Sequence, residues 1–134
     1  MKPFKTLIVE DEFTSRLLLQ LTLEGYGEVH TAVNGSEAIE AVHLSIELEA
    51  PYNLICLDMK MPVIDGQGAL KAIRELEAAA GFNQEQKAKI IMTTAVSDGK
   101  SIMSAFKEQC NAYLIKPVDR KKLLQHLHDF NFID

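Results

Sequence analysis

The run Leu54-Ile-Cys-Leu57 is apolar at every position and stops at a carboxylate, Asp58. A strand that is apolar on both faces must be covered on both faces, as happens inside a parallel sheet flanked by helices. Two turn signals follow at once, Met61-Pro62 and Asp65-Gly66, so the strand ends where the acid stands. An acid at the tip of a central strand is costly to desolvate unless it has a partner, a metal or a chemical task. Open parallel sheets bind ligands at the carboxyl ends of their strands, which makes Asp58 the first candidate for chemistry.

Other short apolar runs fall at residues 4–9, 29–33, 89–94 and 111–115. Between them lie stretches with helical spacing. Thr14 or Ser15 stands near the start of a first helix carrying Leu17, Leu18 and Leu21, closed by Gly25 and Gly27. A second helix from Ser36 turns Ala38, Ile39, Val42 and Ile46 inward and leaves Leu44 and Leu48 partly exposed. A third spans residues 67–80, its faces marked by Leu70, Ile73 and Leu76 or Glu77. The stretch 78–89 extends that helix and its loop away from the strand tips. A fourth helix runs to about residue 107 with Ile102, Met103 and Phe106 at helical spacing, and a fifth starts at Asp119 and ends near His128. Strands joined through helices run parallel with right-handed crossovers. The expected fold class is α/β, a doubly wound (βα)5 sandwich. The strand order 2-1-3-4-5 is that of the flavodoxin-like class and is taken from it.

Composition limits the function. The 134 residues suit one domain and not two. A net charge of -5 argues against nucleic acid, whose phosphates need a basic face. Arg120-Lys121-Lys122 is the only basic cluster and reads as a solvated helix start. Cys56 and Cys110 build no disulfide framework, which fits a reducing, cytoplasmic setting. No apolar run reaches the roughly 20 residues of a membrane span, and the N-terminus lacks a signal-peptide core.

A parallel sheet brings all strand C-termini to one edge. Glu10 and Asp11 follow the first strand, Asp58 ends the third, Thr94 the fourth, and Lys116 follows the fifth. Three carboxylates at close range repel one another unless a cation neutralises them. Oxygen ligands without nearby His or Cys favour a hard ion, and Mg²⁺ suits a few carboxylates with waters and phosphate oxygens. A lysine charge and a threonine hydroxyl complete a set that can hold a phosphoryl group in transfer, with Asp58 as nucleophile. Each residue taken alone has a plainer reading as a helix cap, a loop lysine or a core threonine. Their arrival on one edge is what singles them out.

The pieces Val9-Glu10-Asp11-Glu12, Leu57-Asp58-Met59-Lys60-Met61-Pro62 with Asp65-Gly66, Thr94-Ala95 and Tyr113-Leu-Ile-Lys116-Pro117 resemble the receiver domain of two-component response regulators. The resemblance spans residues 5–128 and is nearest in length to stand-alone, CheY-like members. It implies that Asp58 accepts a phosphoryl group from a histidine kinase or a histidine phosphotransfer protein. It implies Mg²⁺, with Mn²⁺ as a substitute, held by Glu10, Asp11, Asp58 and the backbone carbonyl of Lys60. Thr94 and Lys116 would contact the phosphoryl oxygens, Tyr113 would be the switch aromatic, and Lys116-Pro117 a cis peptide. Glu10 departs from the aspartate that many relatives carry, and Lys60, Val96 and Ser97 border the site.

The expected protein is a bacterial, cytoplasmic phosphoprotein that is not an enzyme beyond its own phosphorylation and dephosphorylation. Residues 1–134 are expected to form a single receiver domain without an output domain. It would signal to a protein target through the face made by the fourth helix, fifth strand and fifth helix. A chemotaxis-type regulator is favoured; a phosphorelay intermediate, or a fragment of a larger regulator or hybrid kinase, is the alternative. An aspartyl-phosphate phosphatase of the haloacid dehalogenase type needs a second Asp where Lys60 stands. A flavodoxin-like nucleotide or flavin carrier needs a phosphate-cradling loop where Glu10-Asp11-Glu12 would repel the ligand. A degenerate receiver used only for binding is the last alternative, although no phosphorylation residue is missing.

Overall fold

The computed structural model describes residues 2–61, 63–95 and 110–134. Five parallel strands, β1 (Thr6–Val9), β2 (Val29–Ala32), β3 (Leu54–Asp58), β4 (Lys89–Thr94) and β5 (Ala112–Ile115), form one sheet in the order β2-β1-β3-β4-β5. Four described helices accompany them: α1 (Phe13–Leu23), α2 (Gly35–Glu47), α3 (Gly66–Ala79) and α4 (Arg120–Asp129). The helix expected between β4 and β5, with Ile102, Met103 and Phe106, lies outside the described residues, as do Pro62, Val96 and Ser97.

Alternation along the strands divides the core in two. Leu7, Val9, Ile55 and Leu57 pack with Val42, Leu70 and Ile73 on the α2 and α3 side. Ile8, Leu54, Cys56 and Ile91 pack with Leu19, Leu23, Leu123 and Leu127 on the α1 and α4 side. All five residues of β3 are buried, as its unbroken apolar run requires. The register pairs Val9 with Leu57, and Asp58 with Thr93. The tips of β1, β3 and β4 are therefore level at one edge.

Thr14 and Ser15 stand in the first turn of α1, whose N-cap is Glu12, its carboxylate accepting from the Ser15 amide. The helix buries Leu19 and Leu23, while Leu17, Leu18 and Leu21 are exposed. Leucine fills so many positions from 17 to 23 that their spacing fits more than one face. The remaining helices start as their sequences suggest: Asn34, Asp65 and Asp119 each cap a helix by accepting a backbone amide.

The opposite edge of the sheet is locked by a buried ion pair. Arg74 Nη1 lies 2.7 Å from Glu77 Oε1, and the two side chains are 11% and 3% exposed. Glu77 also accepts from the Ala88 amide at 2.8 Å. Arg74 donates to the Ala88 carbonyl and to Asn111 Oδ1, which in turn accepts from the Ile90 amide. The network ties α3 to the entries of β4 and β5. Breaking a buried pair from one side strands the other charge, at a cost of about 3 kcal/mol or more. Glu77→Ala is therefore expected to lower the urea unfolding free energy by about 3 kcal/mol, whereas Glu77→Leu combined with Arg74→Met loses much less. Equal losses in the two proteins would show that packing, and not charge, is what Glu77 supplies.

Candidate functional site

Glu10 directly follows β1, and its amide still donates to the Ala32 carbonyl at 3.0 Å, so it is held in the sheet's register. Asp58 is the last residue of β3 and Thr94 the last of β4. Lys116 follows β5, with its amide donating to the Thr94 carbonyl at 2.7 Å. Glu10, Asp58 and Thr94 are buried, while Asp11 is exposed. The topology thus carries five residues from four strands to one edge of the sheet.

Lys116 is the hub. Its Nζ lies 2.7 Å from Glu10 Oε1 and 3.2 Å from Asp58 Oδ2. The remaining carboxylate oxygens turn to the backbone: the Glu12 amide donates to Glu10 Oε2 at 3.2 Å, and the Lys60 amide to Asp58 Oδ1 at 3.3 Å. Oxygens of Glu10, Asp11 and Asp58 all lie within 4.8 Å of one another. Glu10 Oε1 is buried and meets the lysine by charge, with no aligned hydrogen bond. An all-oxygen, anionic cluster containing such an oxygen fits a hard divalent cation.

Burial pushes the Asp58 carboxyl up from 3.8 to about 7, and neighbouring Glu10 adds to the rise while Lys116 opposes it. Burial also raises Glu10, but Lys116, the Glu12 amide and Asp58 outweigh it and hold Glu10 below its ordinary value. Lys116 is drawn down by burial and lifted more by the two carboxylates, so it stays charged. The two buried acids are thereby pushed apart: Glu10 keeps the negative charge and Asp58 is the one that takes a proton.

Thr94 and Thr93 are both buried, so burial does not choose between them. Thr93 sits opposite Asp58 in the ladder and its carbonyl accepts from the Met59 amide, while the Thr94 hydroxyl donates to the Ala95 carbonyl at 3.3 Å. Tyr113 lies in β5 and is 39% exposed. The Lys116–Pro117 peptide is cis. Two further contacts shape the site. Arg16 donates from Nη1 to the Glu10 carbonyl at 3.0 Å, pinning the acidic loop from one turn into α1. Gly66 lies so close to β3 that a Cβ there would stand 2.2 Å from the Asp58 carbonyl oxygen. Its place after Asp65 marks it as a turn residue, but the close approach is a tertiary contact that the local sequence does not show.

A family model described as the response regulator receiver domain matches residues 6–128. The chemotaxis protein CheY of Treponema pallidum is 31% identical over 93% of this chain and 81% of its own length. The osmosensing histidine protein kinase SLN1 of Saccharomyces cerevisiae is also 31% identical over 94% of this chain, which spans only 10% of that kinase. A co-crystal structure of the S. cerevisiae histidine phosphotransfer protein Ypd1 and the receiver domain of Ssk1 matches with a TM-score of 0.81. Its identity is 28%, covering 96% of this chain and 88% of that one.

The raised Asp58 has a consequence for stability. The unfolded chain releases this proton near 3.8 and the folded chain only near 7, so folding grows less favourable as pH rises between them. Asp58→Asn removes that penalty. It is expected to stabilise the metal-free protein at pH 8 on the order of 2 kcal/mol, after discounting for residual solvation, and by little at pH 4. Urea midpoints at the two pH values check this; a gain that does not change with pH would contradict the burial cost assigned to Asp58.

Proposed function

The chain belongs to the response regulator receiver family, and on that footing we propose that Asp58 is its phosphoacceptor, receiving a phosphoryl group from a phosphohistidine. The observation that carries this reading is Lys116 Nζ standing 2.7 Å from Glu10 and 3.2 Å from Asp58 inside the acidic cluster. The same ammonium can turn from the carboxylates to the oxygens of an arriving phosphoryl group.

In the transfer, an ionised oxygen of Asp58 attacks phosphorus, the O–P bond forms and the histidine N–P bond breaks. The imidazole leaves with the electron pair and takes a proton from solvent. Glu10, Asp11, Asp58 and the Lys60 carbonyl are the groups that would hold Mg²⁺, which supplies positive charge against the transferring oxygens. Asp58 must be ionised to react, so a cation in the acidic cluster also favours the reactive form against the burial that protonates it. Lys116 stabilises the charge on the phosphoryl group, and the Thr94 hydroxyl takes up one of its oxygens. Arg16 and the Glu12 amide keep Glu10 in place while Lys116 moves.

Phosphorylation adds a charged, oxygen-rich group at the sheet edge and draws Thr94 and Lys116 toward it, shifting the population of the loops they anchor. Tyr113, on β5, is the residue placed to report the change toward a protein target on the face that includes β5 and α4. The donor has a surface of its own. A groove of about 220 Å³ between α1 and α4 is lined by Leu18, Leu19 and Leu123 and runs up to Glu10 and Lys116. Phe13, Leu18 and Leu21 of α1 are exposed. A phosphohistidine-bearing protein seated there comes up to Glu10 and Lys116, the latter in contact with Asp58. The favoured setting is a chemotaxis-type regulator acting by protein contact; the exposed α1 stripe supports a phosphorelay intermediate as the second reading.

The test is intact-mass measurement after incubation with phosphoramidate and Mg²⁺. One added phosphoryl group is expected on the wild type, none after chelation, and none on Asp58→Asn. Labelling of the variant at the wild-type level would place the phosphoacceptor elsewhere.

A further inference from the structure

Among the described residues, Val63 is the most exposed large hydrophobic side chain, at 81%, and its φ is +73°. A β-branched residue in the left-handed region is a backbone outlier, and such strain persists only where surrounding structure imposes it. Two other non-glycine residues share positive φ, Glu49 at 57° and Asn131 at 64°. Both sit just past a helix end. Glu49 donates its amide to the Ile46 carbonyl and Asn131 to that of His128, and the next amides, of Ala50 and Phe132, reach back to Ser45 and Leu127. That is the ordinary left-handed termination of a helix. Val63 terminates no helix.

It lies in the loop between β3 and α3, five residues beyond Asp58. Both ends of this loop are gripped. The Gly66 amide donates to the Met59 carbonyl at 2.9 Å, and a Cβ on Gly35 would stand 2.4 Å from the Ile64 carbonyl oxygen. Ile64 packs against the core while its neighbour Val63 is turned out into solvent. An isolated exposed valine needs no explanation. One held out by strained backbone, on the loop that follows Asp58 and carries Lys60, does.

We propose that Val63 is a donor-recognition residue: its isopropyl group packs against an apolar patch on the phosphohistidine-bearing protein that phosphorylates Asp58. The inference rests on the reading of Asp58 as phosphoacceptor. A protein that delivers a phosphoryl group from a histidine side chain must bring its own surface over the loops at the strand tips. Small phosphodonors reach the same carboxylate without touching this one. The strained backbone fixes the side chain outward in advance, so that no rotation of the loop is needed when the donor arrives.

Val63→Gly relieves the strain and removes the side chain; Val63→Ala removes the γ-methyls and keeps only the part of the strain due to Cβ. Val63→Gly is expected to raise Tm by about 3–6 °C, and Val63→Ala to raise it by less. Both are expected to accept phosphate from phosphoramidate at the wild-type rate. Both are expected to be slower, about tenfold for Val63→Gly, with the most efficient donor found by screening the host's ³²P-loaded histidine kinases and phosphotransfer proteins against the wild type. That factor is the scale of one valine side chain buried at an interface. Unchanged transfer from the protein donor overturns the proposal, and so does equal slowing with both donors, which would mean a change in loop shape. Transfer to the wild type from none of the host's phosphohistidine proteins overturns it as well. Failure of phosphoramidate to label the wild type would instead remove the phosphoacceptor reading beneath it.

Discussion

Two carboxylates that a protein buries side by side must share something positive, and at the carboxyl edge of this sheet they share Lys116. Glu10 and Asp58 are almost fully withdrawn from water, yet one ammonium serves both, at 2.7 and 3.2 Å. The attraction does not fully offset the desolvation, which is why Asp58 rises to about 7. The rest of the fold follows from making that arrangement geometrically available. Lys116 comes from beyond β5 and Glu10 from beyond β1, strands separated in the sheet by β3 and β4. Only level strand tips and a side chain as long as lysine's bridge that gap. Glu10, with one methylene more than aspartate, shortens it from the other side.

The loops around this pair are shaped by exclusion of side chains. At Gly66 and Gly35 a Cβ would lie 2.2 and 2.4 Å from carbonyl oxygens of the β3 segment and the loop that follows it. No rotamer relieves a backbone contact of that kind. The β3–α3 loop is consequently held close to the sheet at Gly66 and against α2 at Ile64. Val63 takes the strain that this leaves. In energetic terms the loop trades local backbone comfort for a fixed position beside Asp58, a common arrangement where a site must be organised before its ligand arrives.

Much of this was legible in the residue string, and the reasons differ from place to place. β3 was legible because an unbroken apolar run has few homes other than a doubly covered strand. The converging acids and the lysine were legible because parallel topology alone carries strand tips to one edge. The buried face of α1 was not, since leucines crowd positions 17–23 and periodicity then gives no phase. Leu19 and Leu23 won because they, and not Leu18, meet the cluster formed with Leu123 and Leu127. The Glu10–Lys116 contact was also hidden: motif spacing placed both residues at the edge, but which acid the lysine prefers depends on side-chain length in three dimensions. Glu77 read as a helix-face marker, and only its partners Arg74 and Ala88 explain how a carboxylate comes to be buried there.

The two edges of the sheet now look like opposite solutions to the same problem. At the amino edge, Glu77 is satisfied twice over, by Arg74 and by the Ala88 amide, and Arg74 is spread over a carboxylate, a carbonyl and an amide oxygen. Nothing there gains by moving. At the carboxyl edge, Glu10 Oε1 has charge but no aligned donor, burial pushes Asp58 toward its protonated form, and one lysine is divided between them. A site left this under-satisfied responds to any ligand that supplies what is missing: a cation for the carboxylates, or anionic oxygens for the lysine. Rigidity at one edge makes such a response local and directional, because strands fixed at their entries can yield only at their tips. Thr94 and Lys116 stand at those tips, joined by a backbone hydrogen bond of 2.7 Å. Whatever pulls one of them therefore pulls the other, and with it the tip of β5.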